Sequence, residues 1–177
     1  ALNTPSIQGA SSTMLVNNGS GTLIWDKPQN YGDLLADVTA TGSVSTIGAA
    51  GLANRNHYTV ILLTRGKSTG NAIELRFNGD QGNNYDSRRL EEYRFSGGSQ
   101  NAGQLTINDT GTTTSEFYKF EIANVSTLRK QINWNGTMAA SSSVFTGSGA
   151  WKNEANAISA IQFAGGGGNF LINSKLW

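Results

Sequence analysis

The chain has 177 residues and no cysteine, so disulfides and cysteine-ligated zinc are excluded. Its 13 basic and 12 acidic side chains give a formal net charge of +1, without the clustered basic excess that nucleic-acid binding requires. No run of residues approaches the roughly 20 apolar positions of a membrane-spanning helix. We therefore expect neither nucleic acid nor a membrane as a partner. A low charged fraction of 14% together with 22 glycines is typical of an all-β protein with many turns.

Strand patterns begin early in the chain, whereas helical patterns are scarce. Residues 13–16 and 22–25 flank a run of Asn, Gly and Ser, which predicts a β-hairpin. The segment YTVILLTR at residues 58–65 is almost continuously apolar, as in a central strand covered on both faces. Residues 73–77 alternate between apolar and charged side chains, which predicts a half-buried strand.

Strand patterns continue through the second half of the chain. Residues 128–134 alternate and are followed by Asn135-Gly136, a dipeptide that predicts a tight turn. The Ser- and Gly-rich residues 141–149 predict a loop, and four glycines at 165–168 predict a hairpin connection between two terminal strands. Further strands are predicted at residues 91–95, 104–107, 116–125, 157–163 and 169–177. Many short strands without helices between them predict one β-sandwich or barrel domain spanning residues 1–177.

The loop at residues 78–86 is the strongest candidate for a ligand-binding site. It collects amide and carboxylate groups at Asn78, Asp80, Asn83, Asn84, Tyr85 and Asp86. Calcium has to be considered, but the EF-hand pattern fails because its sixth position is Asn83 and its twelfth is Arg89. A structural turn is the alternative, since Asn and Asp tolerate left-handed backbone and bond their own main chain. We therefore assign no metal and no cofactor.

Catalytic signatures are weak in this sequence. His57 is the only histidine, and no G-x-S-x-G motif supplies a nucleophile for it. A glycosidase needs two carboxylates facing each other across a cleft, and none of the 12 acidic residues is singled out as such a pair. A protein without enzymatic activity is the resulting expectation.

Aromatic side chains could stack on sugars or fill the core. Tyr118 and Trp134 lie on apolar strand faces, which predicts core positions. Tyr31, Tyr85 and Trp151 adjoin polar loops, which predicts surface contacts.

Two stretches resemble virion proteins of bacteriophages. LRFNGDQGNNY at residues 75–85 is similar to the R-F-N-G-D-x-G-x-N-Y segment of tail, baseplate and appendage proteins. AISAIQFAGGGGNFLINSKLW at residues 157–177 is similar to the closing hairpin of the same domains. The resemblance implies a jelly-roll sandwich that assembles as a homotrimer or on a symmetric particle. Residues 1–45 lie outside it.

A homo-oligomer would let a modest apolar content suffice, because an interface buries additional surface. Residues 1–45 are a candidate oligomerisation or docking region for other virion proteins. The candidate interface side chains are Leu15, Ile24, Trp25, Leu34 and Leu35. Ordinary strand core is the alternative for each of them.

These observations lead to one leading hypothesis and two alternatives. The leading hypothesis is a non-enzymatic structural protein located in a phage virion, a capsid decoration or a tail- or baseplate-associated jelly roll that forms a trimer. The second is a carbohydrate-binding module or receptor-binding domain that recognises host glycans through the loop at residues 78–86. A glycosidase or lyase is the third.

Overall fold

The structure is a computed structural model that describes residues 14–17, 23–26, 34–69, 72–91, 94–108, 114–139 and 144–177. For residues 14–17, 23–26, 91 and 94–97 it describes the backbone only. The chain divides into two compact units, Ala1–Leu34 and Leu35–Trp177. In the first unit, β1 (Met14–Asn17) and β2 (Leu23–Asp26) pair as an antiparallel hairpin, which confirms the prediction.

The second unit is built from short strands, and its described residues include no helix. Accordingly, nothing in the described part of the chain could cross a membrane as a helix. The strands are β3 (Val38–Thr39), β4 (Thr46–Ala50), β5 (His57–Thr64), β6 (Ile73–Phe77), β7 (Tyr85–Glu91), β8 (Arg94–Ala102), β9 (Leu105–Asn108), β10 (Glu116–Ala123), β11 (Lys130–Met138), β12 (Val144–Trp151), β13 (Ala160–Ala164) and β14 (Lys175–Leu176).

These strands form two antiparallel sheets. The large sheet has eight strands in the order β3-β14-β5-β10-β11-β12-β7-β8, and the small sheet has four in the order β4-β13-β6-β9. The fold is therefore all-β and consistent with an antiparallel β-sandwich, as the sequence predicts. The finer jelly-roll arrangement stays a prediction.

The core consists of the inward side chains of both sheets. Burial alternates strictly along β10 and β11, as expected for strands with one covered face. Rings from the two sheets touch: the centroids of Phe120 and Phe163 are 5.0 Å apart, and those of Phe77 and Trp151 are 5.6 Å apart. Burying each such ring contributes about 1.5–3 kcal/mol, so this aromatic layer holds the sheets together.

The tight turn predicted at Asn135-Gly136 is wrong, because both residues lie inside β11. Gly136 pairs with Tyr118 on β10. A Cβ atom at Gly136 would lie 2.2 Å from the Tyr118 ring, so the glycine makes room for the aromatic side chain of its neighbour. Packing across the sheet, not turn formation, explains this residue.

The loop predicted at residues 141–149 is also wrong for the part described, since residues 144–149 belong to β12. A Cβ atom at Gly147 would lie 2.1 Å from the Trp134 ring, and one at Gly149 would lie 2.4 Å from Leu105. Small residues in this strand therefore accommodate large side chains that lean across them.

The terminal hairpin predicted around residues 165–168 is wrong as well. β13 lies in the small sheet, whereas the short β14 lies in the large sheet between β3 and β5. The glycines form a turn in which Gly168 donates its N–H to the carbonyl of Gly165 at 2.9 Å. Gly166 and Gly167 have positive φ, which glycine adopts readily. This turn lets the chain leave one sheet and join the other.

Candidate functional site

The loop at residues 78–86 connects β6 of the small sheet to β7 of the large sheet. It begins as a turn in which the Asp80 N–H donates to the Phe77 carbonyl at 2.9 Å. Asn78 and Gly79 have φ values of 53° and 69°, a region open mainly to Gly, Asn and Asp. The sequence places these residue types where the backbone needs them.

Asn78 fastens the loop to the segment before β13. Its Oδ1 accepts the backbone N–H of Ser159 at 2.8 Å and that of Ala160 at 2.9 Å. Its Nδ2 donates to the Ala157 carbonyl at 2.8 Å. Both ends of the side-chain amide are thus engaged within the protein.

Asp80 is the centre of the loop. Its Oδ1 accepts the Gly82 N–H at 2.8 Å, and its Oδ2 accepts Asn84 Nδ2 at 2.9 Å and Trp151 Nε1 at 2.7 Å. Partial burial alone would raise the pKa of Asp80, but the hydrogen bonds from Trp151, Asn84 and Gly82 outweigh it and hold the pKa below its ordinary value. The carboxylate therefore stays ionised and organises the loop.

Tyr85 and Trp151 are both fully buried, so the expectation that they are surface contacts is wrong. The Tyr85 hydroxyl accepts the Phe77 N–H at 3.0 Å, and the Tyr85 and Trp151 rings are stacked with centroids 6.5 Å apart. Burial is the main cause that raises the pKa of Tyr85 to about 12. The polar neighbours that suggested exposure instead satisfy the polar tips of these rings. Tyr31 lies outside the described residues.

Asp86 belongs to a second polar group at the start of β7. Its Oδ1 accepts the Asn101 N–H at 2.8 Å and Lys152 Nζ at 3.1 Å. Lys152 also donates to Asn101 Oδ1 at 2.6 Å. The Asn101 N–H is the main cause that lowers the pKa of Asp86; Lys152 adds to it, and slight burial opposes both. This group joins β7, β8 and the end of β12.

The candidate ligand residues therefore differ in their availability. Asn78, Asp80, Asn84, Tyr85 and Asp86 all make hydrogen bonds within the protein. Asn83 is exposed at the tip of the loop, next to the exposed Gln81. Among the residues that the structure describes, no group of three or more His, Asp or Glu side chains could hold a metal ion. A calcium ion at Asp80 would first have to displace N–H donors from both carboxylate oxygens.

His57 lies at the exposed start of β5. Its Nε2 is 2.6 Å from Glu121 Oε2, which also accepts the Thr59 hydroxyl at 2.9 Å. Slight burial would raise the pKa of Glu121, but hydrogen bonds from Lys119, Thr59 and His57 outweigh it and lower the pKa. This arrangement is an exposed cross-strand ion cluster on the outer face of the large sheet.

The candidate interface residues fall into two groups. Leu34 and Leu35 are 68% and 37% exposed. Leu15 pairs with Trp25 across the β1–β2 hairpin, and Ile24 pairs with Val16. The side chains of Leu15, Ile24 and Trp25 lie outside the described residues.

The outer face of the large sheet carries exposed apolar side chains that the sequence analysis did not select. Leu63, Phe117, Thr137 and Val144 are in register on four neighbouring strands, and we call them the outer row. Phe117 is 43% exposed and Val144 is 58% exposed. The other outward positions of β10, β11 and β12 up to Ser148 are Lys119, Glu121, Ala123, Gln131, Asn133, Asn135, Thr146 and Ser148.

Between β10 and β12 this face carries one basic and one acidic side chain, and Lys175 on β14 lies in register with Leu63 at the end of the outer row. Lys119 Nζ lies 2.7 Å from Glu121 Oε1, so the charges of these two outward side chains offset each other. Interface cores are depleted in charged residues and enriched in aromatic ones. The outer row and the mostly uncharged outward side chains of β10 to β12 have the composition of a protein-contact surface. No protein-family model, curated protein or solved structure matches the chain.

Proposed function

We propose that the protein is a non-enzymatic structural component of a bacteriophage particle, either a capsid decoration or a tail- or baseplate-associated protein. It acts through protein–protein contacts with copies of itself, as a homotrimer, and with other virion proteins. The observation that carries this proposal is the outer row, in which Phe117 and Val144 are exposed apolar side chains on the broad face of the large sheet.

The internal hydrogen bonds of the loop at residues 78–86 support the same proposal. Asn78, Asp80 and Asp86 use their side-chain oxygens to fasten strands of both sheets. A component of a particle needs a rigid body that contacts its neighbours without rearranging, and these internal bonds contribute such rigidity. The chain alternates between the two sheets from β3 to β7, which supports the proposed jelly-roll arrangement, whereas β10, β11 and β12 follow one another within the large sheet.

Assembly can be tested by light scattering after size exclusion. We expect the unmodified chain to form a trimer and the double variant Phe117→Glu/Val144→Glu to dissociate, because the contact would bury two carboxylates without a partner charge. The matched control is Leu128→Glu, since Leu128 is 56% exposed in the turn between β10 and β11 and outside the outer row. A monomeric unmodified chain, or a double variant that behaves like the control, would contradict this surface assignment.

Gene order tests the association with a virion independently. We expect the gene to lie beside genes for major capsid or tail proteins. A position within a metabolic gene cluster would argue against a phage particle even if the protein is a trimer.

Glycan recognition is the second candidate, and the exposed loop tip favours it. Gln81 and Asn83 present side-chain amides that could bond sugar hydroxyls. Asn83→Ala is the informative variant on a glycan array, because changes at Asp80 or Tyr85 would disturb the fold. Specific binding that Asn83→Ala abolishes, with unchanged thermal stability, would support a receptor-binding role. No binding by the unmodified chain would oppose it.

A further inference from the structure

A cluster of buried polar side chains lies between the two sheets, apart from the loop and the outer row. Glu116 and Tyr118 point inward from β10, Asn108 ends β9, and Lys67 follows β5. Lys67 and Glu116 are 1% exposed, and Asn108 and Tyr118 are fully buried. Lysine and glutamate are almost never buried to this extent unless they interact with each other or with other polar groups.

Asn108 is held by hydrogen bonds at both ends of its carboxamide. Its Oδ1 accepts the backbone N–H of Ile73 at 2.8 Å. Its Nδ2 donates to the Tyr118 hydroxyl at 2.6 Å and lies 3.4 Å from Glu116 Oε1. The carbonyl carbon of this amide is therefore fixed, with an N–H donor on its oxygen and a carboxylate beside its nitrogen.

Lys67 interacts with the same carboxylate. Burial lowers the pKa of Lys67, and the attraction of Glu116 opposes this effect only in part. A lowered pKa increases the fraction of uncharged amine, which is the nucleophilic form of lysine. Glu116 thus lies beside a carboxamide nitrogen and interacts electrostatically with a potential nucleophile.

We propose that Lys67 and Asn108 become joined by an intramolecular isopeptide bond, with Glu116 as the proton-transfer group. The Lys67 Nζ lone pair attacks Cγ of Asn108, and the negative charge that develops on Oδ1 is stabilised by the Ile73 N–H. Glu116 accepts a proton from Nζ and delivers one to Nδ2, which leaves as ammonia. One C–N bond forms and one breaks, so the reaction needs no oxidant, metal or cofactor.

The bond would connect the two layers of the sandwich. Lys67 follows a strand of the large sheet, and Asn108 belongs to a strand of the small sheet. A covalent link between distant positions restricts the unfolded chain and so favours the folded state. This inference concerns the chain itself and holds for any role of the outer row.

The intact mass of the purified full-length chain tests the proposal. We expect a mass lower than the sequence mass by one ammonia, and a proteolytic digest that yields a branched peptide linking Lys67 to Asn108. Lys67→Met, Asn108→Ala and Glu116→Gln should each have the full mass expected from their sequences. Lys130→Met is the matched control, because Lys130 is equally buried but donates to the carbonyls of Leu128 and Asn153. It should retain the ammonia loss.

Two outcomes would overturn the proposal. A folded unmodified chain with its full sequence mass would show that no bond forms. An ammonia loss that persists in Lys67→Met would come from succinimide formation at an asparagine, not from an isopeptide between Lys67 and Asn108. Far-ultraviolet circular dichroism of each variant establishes that the chain is folded, so a full mass in a folded Glu116→Gln variant reports on proton transfer.

Discussion

Asp80 has the chemistry of a ligand-binding residue, yet in this protein its carboxylate organises the fold. Three donors, from Gly82, Asn84 and Trp151, occupy its two oxygens. Hydrogen bonds to an ionised acceptor are stronger than neutral ones. Burying the indole N–H of Trp151 costs less free energy when such an acceptor is present. Asp80 and Trp151 are 71 residues apart in sequence, so their hydrogen bond is a tertiary contact that requires the folded chain.

Replacing Asp80 by Ala should lower the thermal midpoint clearly. The change removes the acceptor of the Trp151 indole, and a buried donor without an acceptor costs about 1–3 kcal/mol. Thermal unfolding followed by circular dichroism measures this effect. Asn83→Ala in the same loop is the control and should change stability by less than about 0.5 kcal/mol, since Asn83 is exposed. Equal midpoints for the two variants would contradict the role given to Asp80.

The contribution of Asp80 should also depend on pH. Its pKa in the folded state lies below its ordinary value, so protonation favours the unfolded chain. The stabilisation is complete above the unfolded pKa of about 3.9 and is lost as the pH falls through the lower folded pKa. The difference in unfolding free energy between the unmodified chain and Asp80→Asn should therefore be constant near pH 7 and shrink below about pH 4. Denaturant unfolding at several pH values checks this; a difference that grows in acid would refute it.

At the level of the strands, glycine has two separate uses in this protein. Gly166 and Gly167 supply positive φ in a turn, which turn rules anticipate from sequence. Gly136 and Gly147 instead lie in β-strands opposite the rings of Tyr118 and Trp134. Sequence rules for turns assign both uses to turns, so they misplace Asn135-Gly136 and the Ser/Gly-rich β12. The space that an aromatic neighbour requires becomes visible only when strand pairing is known.

Gly136→Ala should destabilise the sandwich. The new methyl group would meet the Tyr118 ring at 2.2 Å, which forces the ring or the strand to move. Overpacking of this kind typically costs about 1–3 kcal/mol. Gly42→Ala is the matched control, because a Cβ at Gly42 meets nothing within 4 Å. Chemical denaturation of both variants provides the test, and a Gly136→Ala variant as stable as Gly42→Ala would show that the contact is relieved without cost.

For the sandwich as a whole, local sequence patterns predict where strands lie far better than they predict which strands pair with each other. The alternation of residues 116–123 correctly places Tyr118, Phe120 and Ile122 inward. The same alternation places Glu116 inward and Phe117 outward. The burial of Glu116 and the exposure of Phe117 could therefore have been predicted from the sequence. The partner of a strand is set by long-range packing. β13 and β14, predicted as a hairpin, accordingly lie in different sheets.

The loop at residues 78–86 shows the same limit of prediction from local sequence patterns. Its position and its turn residues follow from sequence, because Asn-Gly favours left-handed backbone. The burial of Tyr85 does not, since it depends on Trp151 and Phe77, which belong to other strands. Polar neighbours in the sequence predict that an aromatic side chain is exposed only where no ring from a distant part of the chain packs against it.

Leu176→Ala should destabilise the whole large sheet. Leu176 is 2% exposed and lies on β14, which pairs with both β3 and β5. Truncating a buried leucine to alanine costs about 2–5 kcal/mol. Ile172→Ala is the control, because Ile172 is 54% exposed and close by in sequence. Thermal unfolding should separate the two variants, and similar midpoints would mean that β14 contributes little to the sheet.

The placement of β14 and β13 has a consequence for biosynthesis. β3 pairs only with β14 among the described strands, β4 pairs with β13, and β5 lies between β10 and β14. Each of these early strands leaves the ribosome long before its partners are translated. The backbone hydrogen-bonding groups at both edges of the apolar β5 therefore remain unpaired until then. Unpaired apolar strands are prone to aggregate. A chaperone that shields nascent β5 should therefore raise the yield of native protein.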